Sequence, residues 1–189
     1  MHKFLLILGV SGVGKSSLIK ELLALDRRFV YIVPFTTRPS RGKEETKISV
    51  SDKEMDELWN RGELLSVNEI HSIRCGTPRL SIIQVLEQNS IPVLDWPIGC
   101  IEVMRQAFPS QLYIVYVLPP SIEVLQQRLI EEGRDVDGHR LQNARKELDA
   151  YKSSEYIGIC DLEIVSEENK ILEIAQTIYA GYLSSYSKK

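Results

Sequence analysis

The sequence predicts an α/β fold, a mostly parallel sheet covered by helices on both faces, and three observations carry that prediction. Apolar runs of strand length recur at 4–8 (FLLIL), 30–33 (VYIV), 91–94 (IPVL), 112–118 (LYIVYVL) and 162–165 (LEIV). Helix-length segments lie between several of them, at 15–25, 52–61, 78–89, 98–107, 121–132, 138–151 and 168–184. Most of the strand-length runs are apolar throughout rather than alternating, the pattern of a parallel sheet buried on both sides.

Taken in order, Phe4–Leu8 is too short to cross a membrane, and glycines and a lysine follow it instead of a small-residue cleavage site. It reads as a buried strand. The run at 30–33 closes the first strand–helix–strand unit. Residues 34–90 change character: a basic, turn-rich stretch (PFTTRPSRGKEET) leads into short strand-like pieces (KISVS, ELLSVNEIH), the look of an insertion carried on the core. The strand at 91–94 returns to the core. A second turn-rich stretch, EEGRDVDGHR at 131–140, interrupts two helices in the manner of a mobile lid. The expected organisation is one domain over 1–189, with core 1–33 and 91–184, an acceptor-binding insertion at 34–90 and a lid at 131–140.

Bulk composition excludes several functions. A chain of 189 residues with 43% hydrophobic and 26% charged residues can bury one sizeable core. Its net charge of −3 gives no general attraction to nucleic acid or to an anionic membrane, so important basic residues must act in local clusters. Cys75, Cys100 and Cys160 are odd in number, widely spaced and without metal-ligand spacing. They point to a reducing, cytoplasmic setting without disulfides. The expected partners are small molecules, and the expected assembly is a monomer or homodimer.

The strongest signal is Gly9-Val-Ser-Gly-Val-Gly14-Lys15-Ser16, which fits G-x-x-x-x-G-K-[ST] between a strand and a helix. Glycines let successive backbone N–H groups turn inward around a phosphate, and the helix that follows presents the positive end of its dipole. The nest of Gly9, Ser11, Gly12, Val13, Gly14, Lys15, Ser16 and Ser17 is expected to hold ATP. Lys15 would reach the β- and γ-phosphates, and the Ser16 hydroxyl would bind Mg²⁺. This P-loop serves many unrelated activities, so the acceptor must decide the function.

On the acceptor side, Thr36-Thr-Arg38-Pro-Ser-Arg41-Gly42 places two guanidinium forks three residues apart in a turn-rich segment. With the P-loop before it, this arrangement resembles the guanylate kinase family, and the resemblance runs from about Phe4 to Val165. Glu63-Leu-Leu and Cys75-Gly76-Thr77 are similar to the family's E-F-L-E and Y-G-[ST] segments. Asp95 matches the first aspartate of D-I-D. Pro119-Pro-Ser-Ile-Glu-Val-Leu-Gln-Gln-Arg128-Leu matches P-P-S-x-x-x-L-x-x-R-L. Arg140-Leu141 with Ala144 and Glu147 resembles the helix after the lid.

The resemblance implies a P-loop fold and ATP-dependent phosphorylation of GMP. It places Arg38 and Arg41 on the acceptor phosphate, Asp95 near Mg²⁺ and the phosphates, and Arg128 and Arg140 on the transferring phosphoryl group. Departures concentrate on the guanine-reading positions, occupied here by Pro34, Ser66, Thr77 and Pro97, of which Thr77 alone keeps the family's chemistry. Asn68 and Glu69 are candidates to substitute. Two tyrosines that help grip the acceptor phosphate correspond to Lys47 and Cys75. In a shortened lid Glu132 replaces an arginine, with Arg134 two residues on to restore the charge, and Ser166 stands where an asparagine is expected near the adenine.

Missing carboxylates should weaken guanine selection, since a charge-assisted hydrogen bond is worth roughly 1.5–3 kcal/mol. Two alternatives therefore stand beside GMP: another small phosphorylated acceptor, such as ribose 1,5-bisphosphate, or a non-catalytic guanylate-kinase-like binding module. Trp59 is expected as packing, and Trp96 either lines the acceptor pocket or fills the core. His71 and His139 are assigned no chemistry, Cys75 and Cys100 are read as small hydrophobes, and Lys43-Glu-Glu is a solvated turn.

Overall fold

A computed structural model describes residues 4–39, 47–70, 72–133, 135, 138–152, 156 and 158–185. The chain order is β1 (Phe4–Leu8), α1 (Lys15–Leu25), β2 (Phe29–Tyr31), β3 (Phe35–Thr36), β4 (Ile48–Ser49), α2 (Asp52–Asn60), β5 (Leu64–Ile70) and β6 (Ile73–Pro78). There follow α3 (Arg79–Glu87), β7 (Ile91–Asp95), a 3₁₀ turn (Ile98–Cys100), α4 (Ile101–Ala107), β8 (Leu112–Leu118), α5 (Ile122–Glu131), α6 (His139–Tyr151), β9 (Leu162–Val165) and α7 (Ile171–Ser184).

Five strands form a parallel sheet in the order β2-β7-β1-β8-β9. Strand alternation explains the continuous apolar runs. In β1, Leu5 and Ile7 point to a cluster with Leu18 and Leu22 of α1, Leu125 and Leu129 of α5, and Ile174 and Ile178 of α7. Phe4, Leu6 and Leu8 point the other way, to Ile82 and Val85 of α3, Ile101 and Met104 of α4, and Tyr151 of α6. All five residues of β1 are fully buried. Neighbours on the two sides of β1 come from different parts of the chain, which puts the loop after β1 at a topological switch point, where open α/β sheets bind ligands.

A second sheet, β4-β3-β6-β5, occupies the chain between β2 and α3. Its centre is the antiparallel β5–β6 hairpin, with Ser66 opposite Thr77 and Asn68 opposite Cys75. Helix α2 covers one face, burying Met55 against Leu64 and the bare backbone of Gly76, where a Cβ would meet the Met55 sulfur at 2.7 Å. Arg74 on that face pairs with Asp52 and Asp56 of α2.

Several expectations change. β3 and β6 were not legible as strands, the run at 30–33 is a strand only through Tyr31, and the helix expected from 98 begins with a 3₁₀ turn. Trp59 is half exposed, because the short α2 spends its buried contact on Met55 and ends one residue past Trp59. Trp96 is core: it is 3% exposed and its indole N–H donates to the Cys100 carbonyl at 3.0 Å. All three cysteines are free thiols. His71 and Lys43-Glu-Glu lie outside the described residues.

Candidate active site

The P-loop leaves β1 at Gly9 with φ 134°, where a Cβ would lie 2.4 Å from the Val117 carbonyl oxygen. Only glycine fits that approach. Gly14 takes a left-handed conformation as the N-cap of α1, and among the described residues no side chain caps the helix. The first-turn amides are therefore left to an outside acceptor, the arrangement that binds anions. Val13 is buried, while Ser11, Ser16 and Ser17 are exposed at the rim.

Lys15 folds its ammonium back over this cup, donating to the carbonyls of Gly9 and, at 3.0 Å, Val10. Burial pushes the ammonium below its ordinary range, while the Asp95 and Glu147 carboxylates pull it back up and Lys47 pushes it down. Asp95 ends β7, Glu147 lies on α6 and Lys47 directly precedes β4, so charges from three separate elements act on Lys15. Glu147 responds in kind: burial raises its carboxyl and Lys15 lowers it.

The arginines of α5 and α6 take up different posts. Arg140 Nη1 lies 3.4 Å from the Ser11 hydroxyl of the P-loop. Its backbone N–H and that of Leu141 donate to the two oxygens of Asp135, which caps the start of α6. Arg128 donates to the Ser166 hydroxyl at 3.2 Å and to its carbonyl at 2.9 Å. Ser166 Oγ in turn lies 3.3 Å from where a Cβ on Gly14 would sit, so Arg128 is held against the P-loop through Ser166. Arg134 lies outside the described residues, as does Arg41.

Across the cleft, the face of the second sheet turned away from α2 is lined with hydroxyls. Thr36, Ser66 and Thr77 are 3%, 5% and 6% exposed, and among the described residues Ser66 Oγ has no hydrogen-bond partner. Cys75 Sγ lies 3.7 Å from Thr36 Oγ1 and 3.8 Å from Lys47 Nζ. Among the described residues Lys47 is in no ion pair. The Arg38 amide donates to Thr36 Oγ1, anchoring the arginine at the end of β3. Of the four positions that the resemblance assigns to guanine reading, Ser66 and Thr77 face each other across the hairpin, the Pro34 carbonyl accepts from the amide of Ile48 in β4, and Pro97 opens the 3₁₀ turn after β7.

The arrangement pairs an anion cup with a cation-bearing wall opposite, and comparison with known proteins decides what kind it is. The guanylate kinase family model matches residues 1–180. The chain belongs to the guanylate kinase family. A guanylate kinase of Nostoc sp. is 33% identical over 172 residues, covering 88% of this chain and 83% of the relative. That of Thermosynechococcus vestitus is 29% identical over 186 residues, covering 94% of each. The crystal structure of guanylate kinase from Anaplasma phagocytophilum superposes with a TM-score of 0.75 at 20% identity, over 97% of this chain and 86% of that one. A shikimate kinase from Acinetobacter baumannii shares the P-loop kinase fold at TM-score 0.54, 16% identity, and 98% and 95% coverage.

Guanylate kinases are phosphotransferases, and membership makes this chain a nucleoside-monophosphate kinase. Sequence reading missed two contributors to the cleft. Tyr31 donates its hydroxyl to Asp95 Oδ1 at 2.8 Å, and Glu147 reaches Lys15 electrostatically. The signal for Glu147 was present in the motif after the lid. Tyr31 lay hidden inside an apolar strand.

Proposed function

We propose that this protein transfers the γ-phosphoryl group of ATP to GMP, giving ADP and GDP, in the cleft between its two sheets. The observation that carries this reading is the pairing of an uncapped, glycine-built anion cup at Gly9–Ser17 with the basic edge at Arg38 and Lys47. The family match supplies the acceptor. Phosphoryl transfer asks little covalent chemistry of the protein, so positioning and charge neutralisation do most of the catalysis.

In this reading Lys15 leaves the Gly9 and Val10 carbonyls for the β- and γ-phosphates. Arg38, Arg41 and Lys47 hold the acceptor phosphate with an oxygen in line. Arg128, Arg134 and Arg140 offset the charge that spreads over the transferring group, and closure of the 131–140 lid excludes water that would otherwise hydrolyse ATP. Ser66 and Thr77 offer hydroxyls to the base.

Magnesium fits the residues present. The Ser16 hydroxyl and the Asp95 carboxylate are hard oxygen donors at the mouth of the cup. Among the described residues no group of three His, Cys, Asp or Glu side chains could hold a metal, as suits an ion carried mainly by substrate phosphates. Held by Ser16 and Asp95, Mg²⁺ would neutralise negative charge on the phosphates. A cytoplasmic location is part of the proposal. No described helix is long and apolar enough to cross a membrane.

The test is a coupled ADP-release screen over GMP, dGMP, AMP, UMP and ribose 1,5-bisphosphate. GMP should give the highest kcat/KM, within the ordinary enzyme range of about 10⁴–10⁸ M⁻¹s⁻¹. Preference for ribose 1,5-bisphosphate, or no acceptor-dependent ADP at all, would overturn the reading.

A further inference from the structure

Tyr31 is the last residue of β2, and four residues later the chain enters the second sheet at β3. It pairs in register with Val93 on β7, two residues before Asp95, so the phenol and the carboxylate share one face of the parallel sheet. The ring is half buried against the α1-side core, and its hydroxyl donates to Asp95 Oδ1 at 2.8 Å. Burial first, then the Asp95 charge, push the phenol well above its ordinary range, so it stays a donor throughout the working pH range.

We propose that Tyr31 is a positioning residue for phosphoryl transfer: its hydroxyl fixes the rotamer of Asp95 at the phosphate site and ties that carboxylate to the strand leading into the acceptor sheet. This rests on the function proposed above, in which Asp95 serves the metal and phosphates. A carboxylate at the end of a strand has two soft torsions. One short, charge-assisted hydrogen bond from a rigid aromatic side chain removes that freedom before substrate arrives. Because the bond runs to β2 rather than to the P-loop, it aligns Asp95 with the half of the molecule that carries the acceptor.

Tyr31→Phe keeps the ring and removes the donor. The expected result is a fall in kcat of roughly 10- to 100-fold, the size of a lost hydrogen bond to a charged group, with the GMP KM within about threefold of wild type. Calorimetric titration of ATP, with and without Mg²⁺, supplies a readout apart from turnover. Tyr31→Phe should weaken the Mg²⁺-dependent gain in ATP affinity and leave metal-free ATP binding unchanged. In an Asp95→Ala background, which removes the acceptor, the same substitution should change kcat and ATP affinity less than twofold, because its target is gone.

Equal losses in both backgrounds, or a kcat within twofold of wild type in Tyr31→Phe, would overturn the proposal. If Tyr31→Phe lowers the melting temperature, the cycle is read below the midpoint of the least stable variant, where a purely structural role would leave the two backgrounds additive. Should the wild type transfer nothing to GMP, the functional reading fails by itself, and the calorimetric arm still decides on Tyr31.

Discussion

In the proposed reaction the two halves of the cleft recognise phosphate by different means. On the donor side the work is done by backbone: Gly9 and Gly14 hold conformations that side chains resist, α1 leaves its first amides uncapped, and a core of fully buried strands fixes the loop. On the acceptor side it is done by side chains on two- to seven-residue strands, with Arg38, Lys47, Ser66 and Thr77 each delivered by a different strand or strand end. A backbone site tolerates little change and leaves a dense local motif. A side-chain site can be re-tuned one residue at a time.

The largest effect should come from Lys15→Ala. Removing the cation that serves the transferring group should lower kcat by about 10³-fold, near the upper cost of losing one preorganised donor, with the melting temperature little changed. A loss under tenfold would show that the donor side depends on the amide cup alone. Arg38→Ala should raise the GMP KM and lower kcat, together costing 10- to 100-fold in kcat/KM, roughly the worth of a charged hydrogen bond, while calorimetric ATP affinity stays as in wild type. A matching fall in ATP affinity would erase the division between the halves.

Asp26 tests the donor-side scaffold. It caps the end of α1, accepts from Arg28 and from the Tyr179 hydroxyl of α7, and its carboxyl is held at about 2, chiefly by the Arg28 hydrogen bond. A depressed carboxyl contributes stability that is present above its ordinary value near 3.8 and is lost as pH falls through about 2. With Arg28 half exposed, Asp26→Asn should cost only about 1 kcal/mol in urea unfolding at pH 7, and much less near pH 2. An equal cost at both would remove the charge from the explanation.

The smallest effect, and the most telling for the acceptor half, belongs to Ser66→Ala. Among the described residues the Ser66 hydroxyl has no hydrogen-bond partner, and a buried hydroxyl so placed is a burden on the fold. Its removal should leave stability unchanged or raise it by up to about 1 kcal/mol, measured by thermal melting, while the GMP KM rises severalfold. A loss of stability with unchanged KM would make Ser66 a structural residue.

What was legible in the sequence follows the same division. The helix at 15–25 and the strands at 4–8 and 112–118 were read with their observed bounds, because parallel buried strands and a glycine-bounded helix write dense apolar and turn signals. β6 was missed because Ile-Arg-Cys-Gly-Thr-Pro serves two faces with unlike chemistry, Arg74 toward α2 and Cys75 and Thr77 toward the cleft. Trp96 was left between pocket and core, since adjacency to Asp95 says nothing about which way an indole turns. Tyr31 could not be found in the run at 30–33, because its partner Asp95 lies 64 residues away and meets it only through strand pairing.

The central claim is tested most directly by following the phosphoryl group. With equimolar ATP and GMP and Mg²⁺ present, phosphorus NMR should show the ATP γ resonance disappear as ADP and GDP grow in equal amounts, with no matching inorganic phosphate. ADP accompanied by inorganic phosphate, or GMP that persists while ATP is consumed, would contradict the account.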